Sequence, residues 1–287
     1  MEPRPEFPSE ENAKAFDDPA VARAYRLRPP YPPRVFDELL KLLGTRPGWI
    51  LDLGCGTGLL ARPLARQVGR IDAIDSSAAM IEEARVQPGG RERGIRWIVA
   101  RAEDAKLNGP YGLAVAGDSL HWMQWDVVVP RVGDALAPGA FLAVLEMHVA
   151  SPWDAEVAEV VKRFSRNRSF DPNFRVTDEL TRRELWKPAG TLDIEPVARR
   201  QKVDDWIESF HARSSLTRRR LGTDAFAFDD AMRGLTRRHG ASEVDLGVSA
   251  RITWGTPIGT GAPPPVREER PARIRGGGGW RSRRKRP

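Results

Sequence analysis

The chain has 287 residues, about 40% of them hydrophobic, with one cysteine and a net charge of +7. That is enough apolar material for a large core. The lone Cys55 excludes a disulfide framework and any multi-cysteine zinc site, which suits a reducing compartment. From Arg267 onward nine basic residues face two acidic ones, which accounts for the whole net charge, so the body is neutral. A neutral body lacks the basic stripe that a surface tracking phosphates needs, and nucleic acid is not the expected partner. No apolar run approaches the ~20 residues of a bilayer span, and the N-terminus has no signal-peptide pattern. A cytoplasmic protein with no membrane partner is expected.

Residues 1–48 read as a loop and a helix: "AYRLRPPYP" is a proline-rich loop, and an amphipathic helix follows, ended by Gly44. Residues 49–150 alternate short apolar runs with helical stretches. The runs Trp49 to Leu53, Arg70 to Ile74, Arg96 to Val99, Leu113 to Ala116 and Ala140 to Met147 are near-continuously apolar, the mark of strands buried on both faces. Helices fit between them at Leu59 to Gln67, Ala78 to Arg85 and Val127 to Leu136, the last closed by Pro138 and Gly139. This alternation predicts an α/β fold, a doubly wound and mostly parallel sheet with helices on both faces.

Residues 151–259 read as variable, substrate-binding helices and C-terminal strands of the same domain. Helices are expected at Trp153 to Arg166, Thr177 to Trp186, Val203 to Ala212 and Ala225 to His239, with a strand at Leu192 to Ala198. Alternation over Leu246, Val248, Ala250, Ile252 and Trp254 fits an antiparallel edge strand. Residues 260–287, dominated by Gly, Pro and Arg, read as a disordered basic tail.

The segment "WILDLGCGTGLL" places Gly54, Gly56 and Gly58 directly after a buried strand. A glycine turn there lets backbone approach a ligand where any Cβ would collide, and aims helix N–H groups at it. The turn reads as a cofactor cradle, and Asp75 follows at the distance where an acid holds ribose hydroxyls. A dinucleotide fingerprint started at Gly54 fails because Leu59 stands where its third glycine belongs. Started at Gly56 it can be forced through Ala61, but leaves an extra Gly-Cys between strand and turn. Asp52, at the strand end, favours a cofactor carrying an amino group over a pyrophosphate.

Together, "ILDLGCGTG" and "IDAIDSSAAMIEEAR" resemble the class I S-adenosylmethionine-dependent methyltransferases. "VARAEDAKL" resembles their adenine-contact segment after the third strand. "AGDSLHWMQW" and "AYRLRPPYP" are similar to the fourth-strand and lid segments of the small-molecule subgroup around trans-aconitate methyltransferase. The resemblance implies a Rossmann-like sheet of seven strands and S-adenosylmethionine as cofactor. It implies that Gly54, Gly56 and Gly58 lie under the methionine part, with Asp52 orienting the loop or the ammonium. By the same resemblance Asp75 takes both ribose hydroxyls, and Ala102 and Glu103 sit at the adenine edge. Ser76, Met80 and Asp118 complete the implied cofactor set, and Tyr25, Arg28 and Tyr31 belong to a lid that folds over it.

A sulfonium already supplies electrophile and leaving group, so the protein mainly aligns the reactants and excludes water. A hydroxyl or amine acceptor also needs a base; a carboxylate needs none. His121, after the fourth strand at the ligand-binding edge of the sheet, is the candidate base, and His148 at the end of the fifth strand is second. Trp122, Met123 and Trp125 read either as core or as the wall of an apolar acceptor pocket. His211 and His239 are expected to be exposed. Arg163, Arg166, Arg168, Arg218, Arg219 and Arg220 read either as solvated helix faces or as a carboxylate clamp. No Asn- or Asp-Pro-Pro-aromatic sequence follows the fourth strand, which argues against methylation of base amino groups, and no metal site is expected. The reading is therefore methyl transfer to a hydroxyl or carboxylate oxygen of a small-molecule acceptor. The alternatives are an RNA or protein methyltransferase tethered by the tail and a non-catalytic cofactor-binding regulator. The sequence sets no oligomeric state.

Overall fold

The computed structural model describes residues 10–165 and 174–261. The expected tail beyond Gly261 lies outside the described residues. The described chain begins with helix α1 (Glu10–Lys14), a single tight turn Ala15–Asp17, and α2 (Pro19–Tyr25). Asp18 starts α2, its side chain accepting from the Ala20 amide at 2.8 Å, with Pro19 at the first helical position where no N–H is missed. Helix α3 (Pro33–Leu43) buries Val35, Leu39 and Leu43, one apolar stripe at helical spacing, and ends at Gly44 with φ +58°.

The core then alternates as its pattern requires: β1 (Trp49–Leu53), α4 (Ala61–Leu64), β2 (Arg70–Asp75), α5 (Ala78–Val86), β3 (Ile95–Val99), β4 (Tyr111–Gly117), α6 (Trp125–Ala135) and β5 (Leu136–Ala150). The remainder is α7 (Asp154–Phe164), α8 (Val176–Arg182), β6 (Trp186–Lys202), α9 (Val203–Phe210), α10 (Arg218–Leu221), α11 (Asp224–Arg238) and β7 (Glu243–Pro257). All seven strands form one sheet in the order β3-β2-β1-β4-β5-β7-β6. The pairs from β3 to β5 are parallel, and β7 runs antiparallel to both β5 and β6. This is the expected doubly wound, mostly parallel Rossmann-like sheet with an antiparallel edge.

Alternate residues of the central strands enter different cores. Leu51, Leu53, Ala114 and Val144 belong to one apolar cluster, while Ile50, Leu113, Val115 and Leu145 belong to another. That division follows from strands covered on both faces. A third cluster joins Val157, Trp206, Phe210, Phe228 and Leu235 of α7, α9 and α11. Asp72 of β2 is fully buried in the sheet, accepting from Arg96 Nη2 at 2.7 Å and from the Tyr111 hydroxyl at 2.7 Å. A buried carboxylate persists only when it is paired and hydrogen-bonded, and Asp72 is both.

Three expectations change. The alternating segment at 243–257 is antiparallel but lies one place in from the edge; the outermost strand is β6, anticipated only over Leu192 to Ala198. Pro138 and Gly139 do not follow the helix as a free loop: β5 already begins at Leu136, and Gly139 (φ +72°) takes up the register shift between Tyr111 and Leu113. The helix expected from Thr177 to Trp186 stops at Arg182. Glu184 turns left-handed (φ +55°), its amide bonding to Thr181 O and the Leu185 amide to Leu180 O, the double bond of a Schellman cap with glutamate in the usual glycine place.

Candidate active site

The strand order reverses between β1 and β4, the point at which an open α/β sheet leaves a crevice at its carboxyl edge. A cavity of about 660 Å³ opens there. Its floor is the turn after β1, its sides the ends of β2, β3 and β4, and its cover the segment from Ala13 to Tyr31. Asp52, Gly54, Gly56, Asp75, Ser76, Met80, Ala102, Glu103, Asp118, Trp122, Trp125, Tyr25, Arg28 and Tyr31 all line it.

The three glycines do three different things. A Cβ on Gly54 (φ +64°) would stand 2.5 Å from Ser119 Cβ, so this glycine lets the turn pack against the segment after β4. A Cβ on Gly58 (φ +78°) would stand 2.5 Å from the Trp97 ring, and Gly58 is outside the cavity wall. Only Gly56 (φ +52°) has open space where a Cβ would go, with nothing within 4 Å, and that space belongs to the cavity. The bare backbone that a ligand could approach is therefore at Gly56.

Asp75 holds this turn in place. Its Oδ2 accepts from the Gly56 amide at 2.8 Å and its Oδ1 from the Ser77 amide at 2.9 Å. Burial raises its pKa, and those two amides pull against the rise. Each oxygen retains a second lone pair for a further donor. Two other polar atoms of the turn, Asp52 Oδ2 and Thr57 Oγ1, are buried with no hydrogen-bond partner among the described residues. Burial, with the neighbouring Asp75 charge adding to it, pushes Asp52 up to about 7.

That rise sets the sign of a pH dependence. A carboxyl at about 7 in the fold and near its ordinary 3.8 in the unfolded chain takes up a proton on folding between those values. Stability of the cofactor-free protein is therefore highest at the acid end of the window and falls as pH rises through it, by up to about 4 kcal/mol. Asp52→Asn should remove most of that fall, which urea titrations at a series of pH values would measure. Equal pH profiles for variant and wild type would show that Asp52 ionises freely.

At the end of β4, Asp118 adopts φ +49°, rare for a residue with a side chain. Its Oδ1 accepts from the Met147 amide at 3.3 Å, and its Oδ2 lies 3.8 Å from Arg28 Nη2. Burial raises its pKa while Arg28 opposes the rise. Arg28 also donates to the Tyr25 hydroxyl at 2.9 Å, and its guanidinium stands over the Tyr25 ring. Tyr31 is buried, its hydroxyl against Gly117, and burial lifts its pKa well above the usual phenol value. At the opposite wall Glu103 Oε1 accepts from the Gln124 amide at 2.8 Å, tying the end of β3 to the start of α6.

Neither candidate base lines the cavity. His121 sits in the short turn Leu120–Trp122 with its ring 4.8 Å from that of Trp122, which does line it. His148 is exposed, because Met147 points into the cavity and strand alternation sends the next residue to the other face. His211, expected to be exposed, is 2% exposed; its ring nitrogens contact Leu216 O at 2.7 Å and Asp229 Oδ1 at 2.8 Å. Exposed His239 contacts Glu156 at 2.7 Å and stacks on Trp153. Arg163, Arg218, Arg219 and Arg220 are not in the cavity wall either, and Arg166 and Arg168 lie outside the described residues.

The wall contains residues that sequence reading passed over: Lys14, Phe16, Asp17, Thr57, Met147 and Arg183. Phe16 packs edge-on against Trp122 and Tyr25. Arg183 has a side chain only 7% exposed, donates to Glu179 Oε1 at 2.9 Å, lies 3.5 Å from Asp126, and stands over the Trp125 ring. Its sequence context, "TRRELW", reads as continuous helix, so nothing there signalled the left-handed turn at Glu184 that ends α8.

Comparison with known proteins agrees with this geometry. The family model described as "Methyltransferase domain" matches residues 50–139. A trans-aconitate 2-methyltransferase of Mycobacterium tuberculosis (strain ATCC 25177 / H37Ra) is 34% identical over 135 residues, 45% of this chain and 49% of that protein. An uncharacterized methyltransferase of Mycobacterium bovis (strain ATCC BAA-935 / AF2122/97) is 34% identical over 115 residues, 38% of this chain and 56% of that one. The chain thus spans about half the length of the curated relatives it matches. Among solved structures, a candidate type II methyltransferase from Anaeromyxobacter dehalogenans superposes with a TM-score of 0.59 at 25% identity, covering 81% of this chain and 98% of that one. Residues 50–139 are thus a methyltransferase domain, and S-adenosylmethionine is the methyl donor against which the cradle is tested. The cradle fits that cofactor: open space at Gly56, an acid with spare lone pairs at Asp75, and an orphaned carboxylate oxygen at Asp52 suited to an ammonium.

Proposed function

We propose that the protein transfers the methyl group of S-adenosylmethionine to an oxygen of a small-molecule acceptor, and that this oxygen belongs to a carboxylate. The observation that carries the reading is the composition of the cavity wall: two largely buried arginines, Arg28 and Arg183, and no histidine among its described residues. A carboxylate is already ionised and attacks without a base, whereas a hydroxyl acceptor calls for one. The volume of about 660 Å³ lies in the range of small-ligand sites. The similar trans-aconitate 2-methyltransferase adds support from outside the chain.

The cofactor supplies the activated methyl and its leaving group. The chain's own residues do the rest: Asp52 and the Gly56 backbone hold the amino-acid end, Asp75 the ribose, and Ala102 and Glu103 the adenine edge. Arg28, Tyr25 and Tyr31 cover the reacting centre and exclude water, while Trp122, Trp125 and Arg183 wall the acceptor side. Alignment of acceptor, methyl and sulfur is then the main catalytic contribution.

Release of S-adenosylhomocysteine, measured across matched panels of carboxylic acids and phenols, tests the reading. Turnover is expected with carboxylates, and His121→Ala and His148→Ala should stay within about threefold of wild type because neither removes a needed base. Arg183→Gln, which deletes a charged donor, should lower kcat/KM by roughly tenfold to a hundredfold. Turnover confined to phenols and abolished by His121→Ala would reverse the assignment.

A further inference from the structure

We propose that Arg220 is a positioning residue that latches the N-terminal cover over the cofactor cavity, an inference that rests on that cavity being the cofactor site. The cover consists of α1, the turn Ala15–Asp17 and α2, and its residues Ala13, Lys14, Phe16, Asp17 and Tyr25 form one wall of the cavity. Such a wall closes the site only if something holds it down, and the contacts that do so come from both sides. On the cofactor side, the Ser77 hydroxyl at the start of α5 donates to Phe16 O at 2.7 Å. On the other side Arg220 of α10 donates through Nη1 to Asn12 Oδ1, a contact spanning 208 residues of sequence. Asn12 is 6% exposed, so its carbonyl oxygen depends on a protein partner. Further along the cover, Gln201 Nε2 donates to Leu27 O at 2.8 Å.

Arg220 can act as a latch because its base is fixed. Its own guanidinium donates to Ser214 O at 3.2 Å, and its amide is capped by Thr217 Oγ1. The neighbouring Arg218 is bound to Glu208 of α9 and, at 3.1 Å, to Asp229 of α11. Buried His211 joins the Leu216 carbonyl just before α10 to the same Asp229. The helices after β6 therefore present one charged donor, at a fixed place, to the first described helix of the chain. Their contribution is to closure of the cofactor site, separate from contact with the acceptor.

Affinity for S-adenosylhomocysteine in the full chain, with thermal melting as a control for folding, reads the latch directly. Arg220→Ala and Asn12→Ala should each weaken binding by about tenfold, the weight of one charge-assisted hydrogen bond on the closed population. The double variant should be no weaker than either single one, since both remove the same bond. Arg220→Lys should recover part of the loss. Arg219→Ala, an exposed neighbour outside the cavity wall, should bind as wild type does. Hydrogen exchange should show the ligand protecting amides of the Pro19–Tyr25 helix in wild type and failing to do so in Arg220→Ala. Wild-type affinity in a folded Arg220→Ala, or additive losses in the double variant, would overturn the latch. No binding by the wild type would overturn the cofactor reading and the latch with it.

Discussion

Asp75→Ala should lower the affinity for S-adenosylhomocysteine by two orders of magnitude or more while the protein stays folded. The carboxylate has one task seen in the fold and one proposed for it, and the variant removes both. It holds the Gly56 and Ser77 amides at 2.8 and 2.9 Å, and these lose their only shown acceptor when the side chain goes. On the proposed reading its remaining lone pairs accept from two ribose hydroxyls, and charged hydrogen bonds of that kind contribute roughly 1.5–3 kcal/mol each. Two of them correspond to a hundredfold or more in affinity. Asp75→Asn should not rescue: it keeps one acceptor but turns its amide donors toward a backbone N–H. Calorimetric titration checks this, and near-wild-type affinity in Asp75→Ala would remove Asp75 from the site.

The glycine turn permits a second large effect with an internal contrast. Gly56→Val should abolish binding and cost the fold only the strain of a left-handed side chain, about 1–2 kcal/mol, because its Cβ enters open cavity space. Gly54→Val should do the reverse in emphasis, since its Cβ would stand 2.5 Å from Ser119 Cβ and 3.1 Å from the Met123 methyl. Overpacking of that kind adds roughly 1–3 kcal/mol to the same backbone strain. Melting temperatures and titrations run side by side separate the two. A Gly56→Val protein that still bound the ligand would move the cradle elsewhere.

These contrasts mark where sequence was informative. The parallel strands and the turn were legible because buried strands write continuous apolar runs and because glycines are required at left-handed positions. The same signal could not separate Gly56, open to the cavity, from Gly54 and Gly58, which make room for Ser119 and Trp97. Side-chain direction at strand ends was equally hidden: Met147 and His148 are neighbours in sequence and lie on opposite faces. In the helices after β5 the signal was weakest. Glu184 turns where glycine is usual, so the end of α8 and the inward placing of Arg183 had no local mark. The latch between Asn12 and Arg220 is a contact of distant segments, and no periodicity carries such information.

The position of β7 has a consequence for how the molecule is made. This strand, Glu243–Pro257, fills the gap between β5 and β6, yet it emerges from the ribosome after both. Until it arrives, β5 offers an unpaired edge and the cluster of α7, α9, α10 and α11 lacks its two buried strand residues, Val244 and Leu246. Long-range pairing of this kind is slow, and open strand edges are the sites of misassembly. A nascent chain stalled before residue 243 would thus contain the whole glycine turn and still lack the strand whose Val244 and Leu246 pack with Leu221, next to Arg220.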